Sequence, residues 1–382
     1  MSACAAVARA LLWISAALIA WTQVGYGLFL AALRRFRPDR PPVAAGSSVP
    51  LVSLVVAAYR EEAVIAARVA NALALDWPRE RLEVVVAVDG GAVAGADATA
   101  GRARAAGADV VLELPRGGKV RAQDAGVRAA RGELLAFSDA NALWEPDALR
   151  HLAAPFADPG VGFACGRVSF RNEGGTNQEG VYWRYEMWLR GQESALASVT
   201  AGNGAIYAVR PEAYLEVDPV MGHDLSFPFN LVKRGWRAVD APAARAVEKM
   251  VPSIEGEWAR KRRMMSHAWP IVLRGGLLDP RGYPPLYAVM VLSHRVLRYA
   301  TPLLHAVAAL ATLALLARGR ARPAAVAQAV LLAAAAAGGR LRARPLLLAR
   351  YYVLTTASLA AGLWDHLRHG TPAGWDASEG TR

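Results

Sequence analysis

The stretch from Ala10 to Leu33 (ALLWISAALIAWTQVGYGLFLAAL) is almost free of charge. A helix needs roughly 20 apolar residues to cross a hydrocarbon core of ~30 Å, so this run is long enough to span a membrane. Only Arg9 precedes it, whereas Arg34, Arg35, Arg37 and Arg40 follow. The positive-inside rule then sets the N-terminus outside and the remainder in the cytoplasm. Two further runs, Tyr299–Ala317 and Leu346–Trp364, are also long enough, and Pro323–Ala337 is shorter and mostly alanine. The expected organisation is a transmembrane helix with its basic flank in 1–40 and a Pro/Gly/Ser-rich linker in 41–50. A cytoplasmic domain follows in 51–281, then an interfacial helix in 282–298 that includes His294, Arg295 and Arg298. A region of two or three spans completes the chain in 299–382. Such a chain is a multi-pass protein of the inner or plasma membrane.

Composition narrows the classes. With 54% hydrophobic and 20% charged residues, the chain has ample apolar surface to bury, which excludes disorder as its main state. Cys4 and Cys165 are the only cysteines, too few for a disulfide scaffold or a zinc finger. The net charge of +12 is nearly all arginine in an alanine-rich chain, a pairing that reads as codon bias rather than as nucleic-acid binding. A basic balance also suits anionic lipid or phosphate ligands.

Within 51–281, β-rich runs alternate with helical ones. Leu51–Ala57, Leu82–Val88, Asp109–Leu114 and Glu133–Phe137 read as strands; Ala63–Leu73, Ala96–Ala106 and Val120–Ala130 read as helices. Nearly continuous apolar strands alternating with helices indicate an α/β fold, with a mostly parallel sheet covered on both faces. Ligands of such sheets bind beyond the carboxyl ends of the strands. Asp89 and Asp139 stand at two such ends. No GxGxxG follows the first strand and no GxxxxGK[ST] occurs, which argues against dinucleotide enzymes and P-loop hydrolases.

A series of motifs runs in order: VVAAYREE at Val55–Glu62, VDGG at Val88–Gly91, GGKVRAQDAGVRAARGE at Gly117–Glu133 and FSDAN at Phe137–Asn141. TAGNGAIYAVR at Thr200–Arg210, GHDLSFPFNLVKRGWR at Gly222–Arg237 and EWARKRR at Glu257–Arg263 complete it. This order resembles the membrane-bound family 2 glycosyltransferases, among them the cellulose, hyaluronan and poly-N-acetylglucosamine synthases. The resemblance implies a GT-A nucleotide-sugar-binding domain and inverting transfer of a sugar from a nucleotide-sugar donor. It implies a UDP-linked donor, with UDP-N-acetylglucosamine or UDP-glucose as candidates, and a hydroxyl of a glycan or lipid-linked acceptor at the cytoplasmic membrane face.

By the same resemblance, Tyr59, Glu61, Asp89, Lys119, Arg260 and Arg263 fall on the donor side, with Asp89 at the base and Lys119 near the diphosphate. Asp139 and Asn141 fall at the family's metal site for Mg²⁺ or Mn²⁺, and Asp139 also faces the donor. Gly202, Asn203, Gly204 and His223 fall on the acceptor side, and Asp224 in the position of the base. Two departures stand out. Asn141 offers a carbonyl oxygen but no charge to a hard cation, and Glu257 and Lys261 replace the Gln and Trp of the processive members' QxxRW.

The chemistry matches these residue types. A carboxylate can take the proton of an acceptor hydroxyl, a role typically contributing about 10²- to 10⁴-fold. Charge building on the departing diphosphate calls for a cation and fixed arginines. Arg260 and Arg263, three apart, share a face if helical. The aromatic stretch Val181–Arg190 reads as core and membrane-interface packing. A second class stays open on the sequence alone: a non-catalytic nucleotide-sugar-binding subunit of a polysaccharide synthesis or export complex, motivated by Asn141 and the altered EWARKRR. Retention of Asp89, Asp139, Asp224 and the arginines speaks against it.

Overall fold

A computed structural model describes residues 3–37, 49–92, 97–171, 180–249, 254–341 and 343–374. Most of the expected 41–50 linker lies outside the described residues. Eight strands form one sheet: β1 Val52–Ala58, β2 Leu82–Asp89, β3 Val110–Leu114, β4 Leu134–Asp139, β5 Leu143–Trp144, β6 Val161–Arg171, β7 Tyr207–Val209 and β8 Arg237–Lys249. Their spatial order is β3-β2-β1-β4-β7-β6-β8-β5.

The first half of the sheet, β3-β2-β1-β4, is parallel. Each of its crossovers carries a helix: α2 Ile65–Leu73, α3 Thr99–Ala105 and α4 Lys119–Ala129 follow β1, β2 and β3. Both faces of the central strands are buried, which explains their unbroken Val/Leu/Ala runs. The register pairs Ala57 with Asp139 and Ala58 with Val88, so Asp89 and Asp139 end at the same edge on either side of β1. In the second half, β7 runs antiparallel to β4, with Tyr207 opposite Phe137. It therefore starts where β4 ends, and the 200–206 loop before it overhangs Asp139. β8 pairs with β6 in parallel and brings Glu248 opposite Phe170.

The sheet has a core on each face. One gathers Leu54, Val56, Val84, Leu149 and Ile206; the other gathers Val55, Phe137, Phe163, Tyr207 and Phe227. The Phe137 and Tyr207 rings stack with centroids 4.6 Å apart, locking β4 to β7. Burying each such ring is worth roughly 1.5–3 kcal/mol. Helix α5, Ala148–Ala153, and helix α6, Gly180–Leu196, both pack on β8, and α7 is His223–Lys233. The aromatic stretch lies on α6, where Trp183 donates to the Val168 carbonyl at 3.0 Å.

Among the described residues, three helices are long and apolar enough to cross a membrane: α1 Ala3–Arg35, α9 Pro285–Leu316 and α11 Arg344–His369. Helix α8, Ile254–Arg274, precedes α9, and the 16-residue α10, Arg322–Ala337, lies between α9 and α11. The expectation of a separate interfacial helix in 282–298 is corrected, because Pro285–Leu316 is one 32-residue helix. Its polar residues are accommodated at a π-turn, Val291–Val296, which meets a second π-turn at Trp21–Gly25 of α1. Thr22 Oγ1 donates to the Ser293 carbonyl at 2.7 Å and Trp21 Nε1 to Ser293 Oγ at 2.9 Å, satisfying groups that the turns free. Below the turns, Ala8 and Leu12 pack on Ala308, Ala311 and Leu315, a small-residue contact of the kind that joins helices in lipid. A third core, with Tyr26, Leu30, Phe229, Trp269 and Tyr287, ties these helices to the α/β domain.

Candidate active site

Asp89 ends β2 almost fully buried. Its carboxylate accepts from the backbone N–H of Gly117 at 2.6 Å and of Gly118 at 3.0 Å, and from the Arg116 guanidinium. That guanidinium lies on the Tyr59 ring, 3.3 Å from its centroid. Tyr59 follows β1 directly. Glu61 shapes the next turn, its N–H donating to Thr99 Oγ1 at 2.9 Å and its carbonyl accepting from Val64 and Ile65.

Across β1, Asp139 is paired with Lys119 at the start of α4. Gly204 leaves room for this pair, since a Cβ there would lie 3.0 Å from Lys119 Nζ and 3.7 Å from Asp139 Oδ2. Burial disfavours the Lys119 charge, but Asp139, Asp224 and Glu248 outweigh it and its pKa is raised. The Asp224 carboxyl is pushed up chiefly by burial, with Lys119 opposing and Asp139 adding. Glu248 is pushed up to about 7, first by burial and then by Asp139, against Lys119 and Arg260. Three carboxyl groups thus share the field of one ammonium. Such a field favours a cation, and the oxygens of Asp139, Asn141 and Glu248 are hard donors that suit Mg²⁺ or Mn²⁺. Among the described residues, no three His, Cys, Asp or Glu side chains are already gathered to hold a metal.

The DAN turn is braced from below. Arg68, fully buried on α2, donates through Nε to Ser138 Oγ at 3.0 Å and through Nη1 to Asn71 Oδ1 at 2.6 Å. Asn71 in turn holds both the N–H and the carbonyl of Trp144. Burial lowers the Arg68 pKa to about 9.

The acceptor-side expectations divide. The Gly202 N–H donates to the Asp224 carbonyl at 2.6 Å, so the glycine loop and the start of α7 are joined. The Asn203 side chain is spent on backbone: Nδ2 donates to the Gly166 carbonyl at 2.6 Å, and Oδ1 accepts from Ala205 and Ile206. It shapes the loop rather than facing a ligand. His223 is corrected outright. Its ring is buried, stacks on Phe227 with centroids 4.2 Å apart and bonds Tyr207 at 3.1 Å. Burial, then Lys119, pushes its pKa down to about 3. Adjacent positions at a helix start diverge by about 100°, so Asp224 turns to the cleft while His223 turns to the aromatic core.

Arg260 and Arg263 lie on α8, and Arg260 is close enough to Glu248 to act on its charge. Helix α8 is fixed to α11 by Arg262–Asp365, with both bonds 2.6 Å, and by Trp269 Nε1 on the Leu359 carbonyl at 2.9 Å. The side chain of Glu257 lies outside the described residues. Sequence reasoning missed Glu248, Arg68 and Arg116. Arg116 directly precedes the GGK motif, and that adjacency was the available signal.

A mostly parallel sheet with acids at its carboxyl edge and a carboxylate at a facing helix start defines a GT-A-type, nucleotide-sugar-dependent glycosyltransferase. The chain belongs to the family described as "Glycosyltransferase like family 2", whose profile matches residues 50–266. It is similar to a mannosyltransferase of Pyrobaculum calidifontis, solved in complex with GDP-Man and Mn²⁺. The two are 25% identical with a TM-score of 0.74, over 94% of this chain and 99% of that one. It is also similar to the beta-monoglucosyldiacylglycerol synthase of Synechocystis sp., with 29% identity over 203 residues, covering 48% of this chain and 38% of that protein. The match therefore spans under two-fifths of that curated relative's length.

Proposed function

We propose that this enzyme is an inverting membrane glycosyltransferase. It moves a hexose from a UDP- or GDP-linked donor to a hydroxyl of a lipid or lipid-linked glycan at the cytoplasmic face. The observation that carries this reading is Asp224. It stands at the start of α7, joined through its carbonyl to the glycine loop and electrostatically coupled to Lys119 and Asp139.

A carboxyl raised by burial is a better proton acceptor than one at its ordinary value, and Asp224 takes the acceptor proton as the hydroxyl attacks. Lys119, Arg260 and Arg263 receive the diphosphate, and Asp89 and Tyr59 the base. Asp139 and Asn141 would hold the divalent cation, with Glu248 beside them. When bound, that cation stabilises negative charge on the departing diphosphate.

The charge of Arg34 and Arg35 in the last turn of α1, with Arg37 just beyond it, supports the cytoplasmic placement. Support for a lipid acceptor comes from the fused membrane helices and from the name of the Synechocystis relative; support for a GDP donor comes from the ligand of the Pyrobaculum structure. The test is incubation of the full chain in nanodiscs with UDP- and GDP-hexoses carrying a labelled sugar, and Mg²⁺ or Mn²⁺. Label entering the lipid fraction with one donor is expected. Nucleotide binding with no transfer or donor hydrolysis across lipid and glycan acceptors would instead indicate a binding subunit.

A further inference from the structure

Arg116 sits in the loop between β3 and α4, and three elements enclose it. Its guanidinium is paired with Asp89, and one face lies on Tyr59, 3.3 Å from the ring centroid. The 371–374 segment after α11 packs against it: a Cβ on Gly374 would lie 3.2 Å from Arg116 Nη2. That segment is itself anchored. Thr371 Oγ1 donates to the Ser266 carbonyl at 3.0 Å, and His267 Nε2 bonds the Pro372 carbonyl at 3.1 Å.

A planar group whose N–H edge meets a buried carboxylate and whose face meets a phenol ring is what a nucleobase would present at the same place. We propose that Arg116 fills the nucleobase slot of the donor site, and that the donor base binds by displacing it. The inference rests on the reading of Asp89 and Tyr59 as base contacts.

The exchange is feasible on three counts. Asp89 keeps the Gly117 and Gly118 N–H groups when Arg116 leaves, and an N–H of the base replaces the lost donor. Arg116 is 34% exposed, so its side chain has a way out to solvent. The guanidinium, once released, stays on the loop that leads into Lys119 and remains near the diphosphate. Guanidinium suits the slot for its planarity as well as its charge, which an ammonium lacks.

Self-occupation weakens every base-bearing ligand by the fraction of time the slot is open. If Arg116 fills it about nine-tenths of the time, removing the side chain tightens such ligands about tenfold. Ligands without a base gain nothing.

The test is calorimetric binding of UDP, GDP and pyrophosphate, with Mn²⁺, to the full chain in nanodiscs. The chains compared are wild type, Arg116→Ala and Arg116→Lys, matched by melting midpoint. Tighter nucleoside diphosphate binding in both variants, about five- to tenfold, with pyrophosphate unchanged or weaker, is the expected result. Unchanged or weaker nucleoside diphosphate binding, or equal tightening of pyrophosphate, overturns the inference. Failure of the wild type to bind either nucleotide overturns the donor-site reading beneath it instead.

Discussion

Two charged regions of this molecule are built in opposite ways. At the carboxyl edge of the parallel strands, Asp89 and Asp139 are paired with Arg116 and Lys119, both partly open to solvent. At the junction with the long apolar helices, Glu193 is fully buried and held from three sides. Tyr26 donates to it at 2.7 Å, His294 bonds it at 2.6 Å and the Thr200 N–H reaches it at 3.1 Å. Glu186 beside it is bound by His294 and Arg298. Burial opposes the charge of both glutamates, yet their cationic neighbours keep both pKa values below the ordinary range. The first kind of pair has a cation in reach of solvent, as the proposed exchange at Arg116 requires; the second is closed on all sides. Thr200 belongs to the second region and begins the glycine loop of the first, so the two regions are joined through one residue.

Substitutions should separate the two. The largest effect is expected from Asp224→Asn, which removes the proton acceptor: turnover falls about 10³-fold while UDP or GDP binding holds, read by nucleotide release beside calorimetry. Glu193→Gln should act on the other region. It takes one of two carboxylates from His294, which keeps Glu186, and costs about 1–3 kcal/mol, seen as a lowered denaturation midpoint in detergent. An unchanged midpoint would show that the junction is not a permanent clamp.

Gly118→Ala probes the loop that holds Asp89. Gly118 has φ +93° and ψ 167°, a region nearly closed to other residues, and a Cβ there would lie 2.2 Å from the Ala373 carbonyl oxygen. A cost of about 1–3 kcal/mol should raise the donor KM about tenfold more than it lowers kcat. The last effect is titrational. The unfolded chain protonates His223 near 6.5, the folded chain only near 3. The unfolded state therefore binds more protons between these values, and stability falls as pH drops through that window, by up to about 1.4 kcal/mol per unit. His223→Gln should flatten that part of the stability curve; an identical slope would place the acid sensitivity elsewhere.

Much of the donor half was legible in the sequence. Its four strands, the helices between them and the acids at their ends are set by local periodicity, because a parallel strand buried on both faces must be apolar throughout. The long apolar helices were legible for the same reason, since lipid demands a continuous run. The second half of the sheet was not. β7 is three residues long and β5 two, too short for any pattern to register.

By itself, then, the sequence determined the α/β class, the long apolar helices and the places of Asp89 and Asp139 at strand ends. Each follows from neighbours a few residues apart. Tertiary structure alone decided that His223 turns inward, that Glu248 joins the acidic cluster, that Arg68 braces the DAN turn and that Arg116 lies on Tyr59. It also decided that His294 meets Glu193 across 101 residues of chain. Those outcomes depend on which distant groups are brought within hydrogen-bond range, and a charge's role is set by its burial and partners rather than by its identity.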